Sequence, residues 1–299
     1  GDFMSGGVPQ QALTDIAGTV VGGGGGLCDT ANTQDESLVL FYSEVLAFAF
    51  FAAQGKTQLL VPLALLGTRR YMNDISGQTR ADNLCGFIRA EDWLNGELVQ
   101  TRVEVMLDSA TVSLAPASFV AVSSACSSCS NECTASDATN NNCDTQRRHL
   151  DVDITRWFQA YDASMYSPVV QQALATVTRR VGTGPWGAGA WLGDSQHYFL
   201  TVWLATSLLS GSTLDYYVYD NFCENPGNQC FVLGGDTCRE CIAAGGAKVA
   251  EDRCGELGIG DVIELYQGQP ASVIYSDLLG VGPPPDQVFD ILAGARQSG

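Results

Sequence analysis

The stretch TDIAGTVVGGGGGLCDTANTQDESLVLFYSEVLAFAFF, residues 14–51, decides how this chain is read. An apolar run, QALTDIAGTVV at 11–21, predicts a short buried strand that ends at five consecutive glycines, 22–26. From about residue 34 to 53 the pattern suits a helix buried on most sides. Thr33 is placed as its N-cap and Glu36 as its third helical residue, a capping-box arrangement. A glycine-rich loop between a strand and a helix start is where backbone N–H groups and the helix dipole together bind an anion such as a diphosphate. Glycine suits that position because a Cβ would hold the backbone off the ligand. The plainer readings are a flexible joint for the glycines and a simple capping role for Glu36.

Outward from that stretch, strands and helices alternate. TQLLVPLALLG at 57–67 predicts a buried strand, with Pro62 as its weak point. QTRVEVMLD at 100–108 and ASFVAVSSA at 117–125 read as further strands, and 124–147 as a polar, cysteine-bearing insertion. Helical periodicity returns at 151–161 and 168–180. A second glycine-rich loop, GTGPWGAGAWLGD at 182–194, leads into a helix at 195–209 and a strand, LDYYVYD, at 214–220. This alternation predicts an α/β layered fold. After Phe222 the composition shifts to Cys, Gly and Pro, so 223–299 reads as a C-terminal extension packed on a domain of residues 1–222. GPPPD at 282–286 forms a rigid turn before a final short helix.

Bulk properties narrow the partners. The chain has 299 residues, 45% of them hydrophobic, which suffices for a sizeable core. A net charge of −18, with lysines only at Lys56 and Lys248, provides no basic stripe for double-stranded nucleic acid or an anionic membrane surface. The apolar segment 38–66 is interrupted by Ser43, Glu44, Gln54, Gly55 and Lys56, so no membrane insertion is expected. The opening GDFMSGG has neither the charged region nor the apolar core of a signal peptide; a secreted protein would here be in processed form.

Eleven cysteines fall mainly in two clusters, which points to disulfides and an oxidising, extracellular compartment. The odd count leaves one thiol over. Zinc is the rival, because CSSCSNEC (Cys126, Cys129, Cys133) with Cys143, and CREC (Cys238, Cys241), have ligand-like spacing. The framing Ser, Asn, Thr and Asp residues favour disulfides, and no metal or cofactor is expected. Trp186 and Trp191 read as packing residues and His149 as a solvated surface residue. His197 reads as structural, and no nucleophile motif accompanies either histidine.

Several blocks together resemble the poly(ADP-ribose) glycohydrolase family. That family carries three glycines, a short spacer and Gln-Glu-Glu. Here Gly24, Gly25 and Gly26 are followed by seven residues and then Gln34, Asp35 and Glu36. The likeness continues through FYSEVLAF (41–48) and GTRRYMNDISGQ (67–78), and returns at GTGPWGAGAWLGD and LDYYVYD, covering roughly 14–222. The resemblance implies a macrodomain-like mixed sheet sandwiched between helices, here with cysteine-rich insertions. It further implies recognition of an ADP-ribose-like ligand or polymer, with glycoside hydrolase activity on ribose–ribose bonds. Glu36 would protonate the leaving oxygen and Asp35 would hold a ribose hydroxyl. The first glycine loop and the second loop (Gly187, Ala188, Gly189) would surround the diphosphate, and Gln34 would be among the ligand-binding residues. Tyr219 would pack near the adenine. An acid of this kind needs a pKa raised by burial. Sequence neighbours on a helix point about 100° apart, so Asp35 and Glu36 would not flank the bond from opposite faces.

The sequence departs from the family pattern at Gly18 and Pro185, where the family has Asn, and in the two extra glycines of the first loop. The rival from a different class is a catalytically degenerate extracellular protein that uses the scaffold for self-association in a filament or coat. Acidic charge, scarce lysine and many cysteines suit it equally.

Overall fold

The computed structural model describes residues 11–16, 38, 42, 44, 62–68, 117–124, 150–188, 194–218, 230–244, 254–281 and 287–297. Within them are five strands and seven α-helices, an α/β composition with a mixed sheet. The chain divides into two units, Gly1–Ser123 with Ser167–Arg180, and Ser124–Tyr166 with Val181–Gly299.

The first unit holds β1 (Gln11–Asp15), β2 (Leu63–Thr68), β3 (Ala117–Ala121) and the helix Pro168–Val177. β3 lies between the other two strands. It runs parallel to β1, with Ala12 opposite Ser118 and Asp15 opposite Ala121, and antiparallel to β2. Every residue of β1 and β3 is buried, including the polar Gln11, Thr14 and Asp15 of β1. Leu38 and Tyr42, from the predicted 34–53 helix, are fully buried. The Tyr42 N–H donates to Leu38 O (2.8 Å), and its ring meets Phe119 of β3 edge-on at 4.6 Å.

β2 corrects one expectation. The sequence predicts a buried strand over 57–67. The described strand starts only after Pro62, which cannot donate to a ladder, and Ala64, Leu66 and Gly67 are exposed. β2 ends the strand order with β3 as its neighbour, so an apolar run does not secure burial there. The register slips between Leu65 and Thr68. Thr68 restores it by donating its hydroxyl to Ala117 O (2.9 Å).

The second unit is built on one helix. Numbering helices in chain order, α1 is Leu150–Tyr161, α2 is Pro168–Val177 of the first unit, and α3 is Ser195–Ser207. α4 (Gly235–Ala244), α5 (Ile259–Leu265), α6 (Ala271–Gly280) and α7 (Val288–Gln297) follow, all within the region read from sequence as an extension with one short helix. Strands β4 (Arg180–Thr183) and β5 (Thr213–Tyr216) precede and follow α3, and the Tyr217 N–H donates to Thr183 O (2.8 Å). α3 is buried nearly all round, the signature of a central helix. Its Phe199, Leu200 and Leu204 share a core with Leu150 of α1, Val262 of α5, Ile274 and Leu278 of α6, and Phe289 and Leu292 of α7.

A helix enclosed this way must satisfy its polar side chains inside the core. Gln196, with no exposed surface, does so at both ends of its amide. Nε2 donates to Phe231 O (2.7 Å), and Oε1 accepts from the Phe289 N–H (2.9 Å), a first-turn donor of α7 with no partner inside its own helix. Thr206 accepts from the Trp157 indole of α1 (3.0 Å).

Two disulfides, Cys230–Cys241 and Cys238–Cys254, fasten α4 to the segments before and after it. Backbone contact supports them. Gly234 has φ +70°, and a Cβ there would run into the Leu257–Gly258 peptide, while a Cβ on Gly258 would strike Leu233 O. Asp290 of α7 accepts from the Glu256 and Leu257 N–H groups (2.9 and 3.0 Å).

Among the described residues, two tyrosines carry the strongest perturbations. Burial pushes the Tyr216 phenol well above its ordinary value, and its hydroxyl oxygen is enclosed without a hydrogen-bond partner. Tyr266 is pushed up to about 12, first by burial and then by its hydrogen bond to Asp277 (3.0 Å). A phenol that stays protonated in the folded state while the unfolded chain ionises stabilises below pH ~10 and loses that contribution as pH rises toward 12.

Three outcomes are expected. Gln196→Leu leaves two buried backbone groups unpaired and lowers unfolding free energy by about 2–5 kcal/mol in denaturant titration. Tyr216→Phe removes an unpaired buried hydroxyl and leaves the melting temperature equal or higher. Stability falls between pH 10 and 12 in wild type, and the slope is shallower in Tyr266→Phe, read from denaturant midpoints across that range.

Candidate functional site

The second glycine-rich loop joins β4 to α3 through a tight turn. The Trp186 N–H donates to Gly184 O (2.7 Å) and the Ala188 N–H to Pro185 O (3.0 Å). Pro185 suits the second of these as the turn's opening residue, because it supplies the carbonyl and needs no N–H of its own. Gly187 takes φ +74°, as the third residue of such a turn requires. An added Cβ would also enter the Tyr198 ring. Glycine at 187 therefore answers to the turn and to an aromatic neighbour, whatever ligand the loop holds. The turn bonds leave the Gly187 N–H unengaged and commit that of Ala188.

Trp186 belongs to an aromatic cluster. Trp186 is buried against Trp157 (ring centres 5.1 Å apart) and Tyr198 (5.7 Å), both edge-on, and Tyr161 extends the cluster. Trp186 is thus a packing residue, as expected. His197 is buried, with its ring edge-on to Tyr198, again as expected of a structural histidine.

The start of α3 is capped from within. Asp194, buried in extended conformation, accepts from the His197 N–H at 3.0 Å. A carboxylate there complements the helix dipole and lowers the attraction of that N-terminus for a second anion. Ser195, the first helical residue, is fully buried and its hydroxyl has no partner.

In the first unit, Asp15 stands out. It ends β1, is completely buried, and its carbonyl accepts from the Val122 N–H (3.3 Å) just past β3. In sheets with parallel strands, ligands collect at the carboxyl ends of the strands. Asp15 occupies such an end, followed in sequence by the first glycine loop. In the sequence Asp15 is a lone acid within a largely apolar run, and that is itself a signal, because an ionised group is costly to bury.

Of the residues the resemblance assigns to ligand binding or catalysis, Gly187 and Ala188 are placed. Gly24, Gly25, Gly26, Gln34, Asp35, Glu36, Gly189 and Tyr219 lie outside the described residues, as do Trp191, His149 and the 125–149 cysteine cluster. Cys238 and Cys241, the zinc-like CREC pair, are bonded to different partners. Among the described residues no group of three or more His, Cys, Asp or Glu side chains is placed to hold a metal ion, and no helix is long and apolar enough to cross a membrane.

No protein-family model matches the chain, and no curated protein matches it.

Gly187→Ala is expected to lower stability by about 1–3 kcal/mol from the backbone alone, with more from the ring contact. Thermal unfolding of the variant checks this; an unchanged melting temperature would show that the turn adapts.

Proposed function

We propose that this protein recognises an ADP-ribose-type ligand and hydrolyses ribose–ribose O-glycosidic bonds, with Glu36 as the acid. The observation that carries the reading is the ordered series Gly24, Gly25, Gly26, then Gln34, Asp35, Glu36, which follows a buried strand, β1, ending in the buried carboxylate Asp15. A glycine loop after a strand supplies N–H donors for a diphosphate. In this reading Asp35 holds a ribose hydroxyl and Glu36 delivers a proton to the oxygen that leaves the anomeric carbon. The two disulfides support an oxidising, extracellular setting.

A second reading rests on the Asp194 cap and on the turn that engages the Ala188 N–H. It is a scaffold that has lost ligand binding and serves in extracellular self-assembly. Calorimetric titration of the oxidised protein with ADP-ribose separates the two. The first expects micromolar binding that survives Glu36→Gln while hydrolysis of poly(ADP-ribose) is lost. Absence of heat at millimolar ligand overturns it and leaves the assembly reading, which expects oligomers in sedimentation.

A further inference from the structure

Both described disulfides place one sulfur on the same helix. Cys238 and Cys241 sit three residues apart on α4, bonded to Cys254 and Cys230 respectively. Residues three apart on a helix share a face. Accordingly, Cys230, Cys238 and Cys254 pack in one cluster with Cys241 against it. Burial separates the two staples. Cys230, Cys238 and Cys254 are buried, whereas Cys241 is only half-buried. An external thiol therefore meets the Cys230–Cys241 bond first.

We propose that the CREC helix is a thiol–disulfide relay, in which reduction of Cys230–Cys241 is passed on to Cys238–Cys254. A dithiol reductant attacks Sγ of Cys241, and the Cys230 thiolate leaves. The reductant's second thiolate then closes its own disulfide and releases Cys241 as a thiolate. Cys241 attacks Sγ of Cys238, a Cys238–Cys241 bond forms, and Cys254 leaves as a thiolate that takes a proton from water. Two electrons enter from the dithiol, and the chain ends with thiols at Cys230 and Cys254.

Geometry sets what this requires. Helical neighbours three apart have Cβ atoms about 5–6 Å apart, while a disulfide holds them at about 3.5–4.5 Å. The turn therefore tightens toward 3-10 form, where such side chains eclipse. The consequence falls on the segment after Cys254. Without its disulfide it keeps the Gly235 N–H to Gly255 O bond (2.7 Å) and the Arg239–Glu256 ion pair (3.3 Å), which is exposed and weak. That segment also carries the Glu256 and Leu257 N–H groups bound by Asp290, so the relay reaches α7.

The test is limiting reduction of the oxidised full chain with one equivalent of dithiothreitol, acid quench, N-ethylmaleimide labelling and peptide mapping of these four cysteines. The relay expects label at Cys230 and Cys254 together, with Cys238 bonded to Cys241. Label at Cys230 and Cys241 with Cys238–Cys254 intact at all times overturns it, as does label at Cys238 and Cys254 with Cys230–Cys241 intact. Cys230→Ser gives an independent reading: the relay expects a labelled Cys254 fraction without any reductant, and exclusive labelling of Cys241 contradicts it.

Discussion

The carboxamide of Gln196 holds the second unit to one arrangement. Its amide nitrogen and oxygen are each spent on a backbone group of another segment, the carbonyl of Phe231 and the N–H of Phe289. Hydrophobic packing around α3 is strong but directionless, and many rotations of the surrounding helices would bury comparable apolar area. A buried amide is different, because each end tolerates only a narrow range of position before a desolvated polar group is left unpaired. Gln196 thereby sets the approach of α7 and of the 230–232 turn to the first turn of α3.

Around this point, covalent and backbone constraints replace the apolar area that short, cysteine-rich segments lack. α4 buries little beyond Cys238 and Ile242, and it is held by two disulfides and by the close approach of Gly234 to Gly258. Neither glycine signals this alone; the approach exists only when residues 233–235 and 257–258 meet. The Asp290 carboxylate then joins the stapled segment to α7 by two charge-assisted bonds.

Much of the fold could be read from pattern. The strands β1 and β3, the periodicity of α1 and of Pro168–Val177, and the return of helix after the second loop all came from local signals that tertiary structure left unchanged. The helices α4 to α6 did not, because the Cys, Gly and Pro content of the region after Phe222 reads as loop. β2 was misread as buried because its run of apolar residues carries no mark of which strand ends a sheet. In the candidate site, the packing roles of Trp186 and His197 were legible. The reason for glycine at 187 was only half so: a close approach is required, but the partner is the Tyr198 ring of α3, eleven residues on in sequence. Asp15 was missed since one acid in an apolar run looks like noise until its burial is seen.

What fixes the start of α3 against α7 is the bond from the Phe289 N–H to the Gln196 side-chain oxygen. Hydrogen exchange of the Phe289 amide tests this most directly. As a first-turn donor it would exchange through local fraying if its bond to Gln196 were dispensable. The account predicts that it exchanges only through global opening, with a protection free energy equal to the unfolding free energy of the unit. Exchange at the rate of an exposed helix terminus would contradict it.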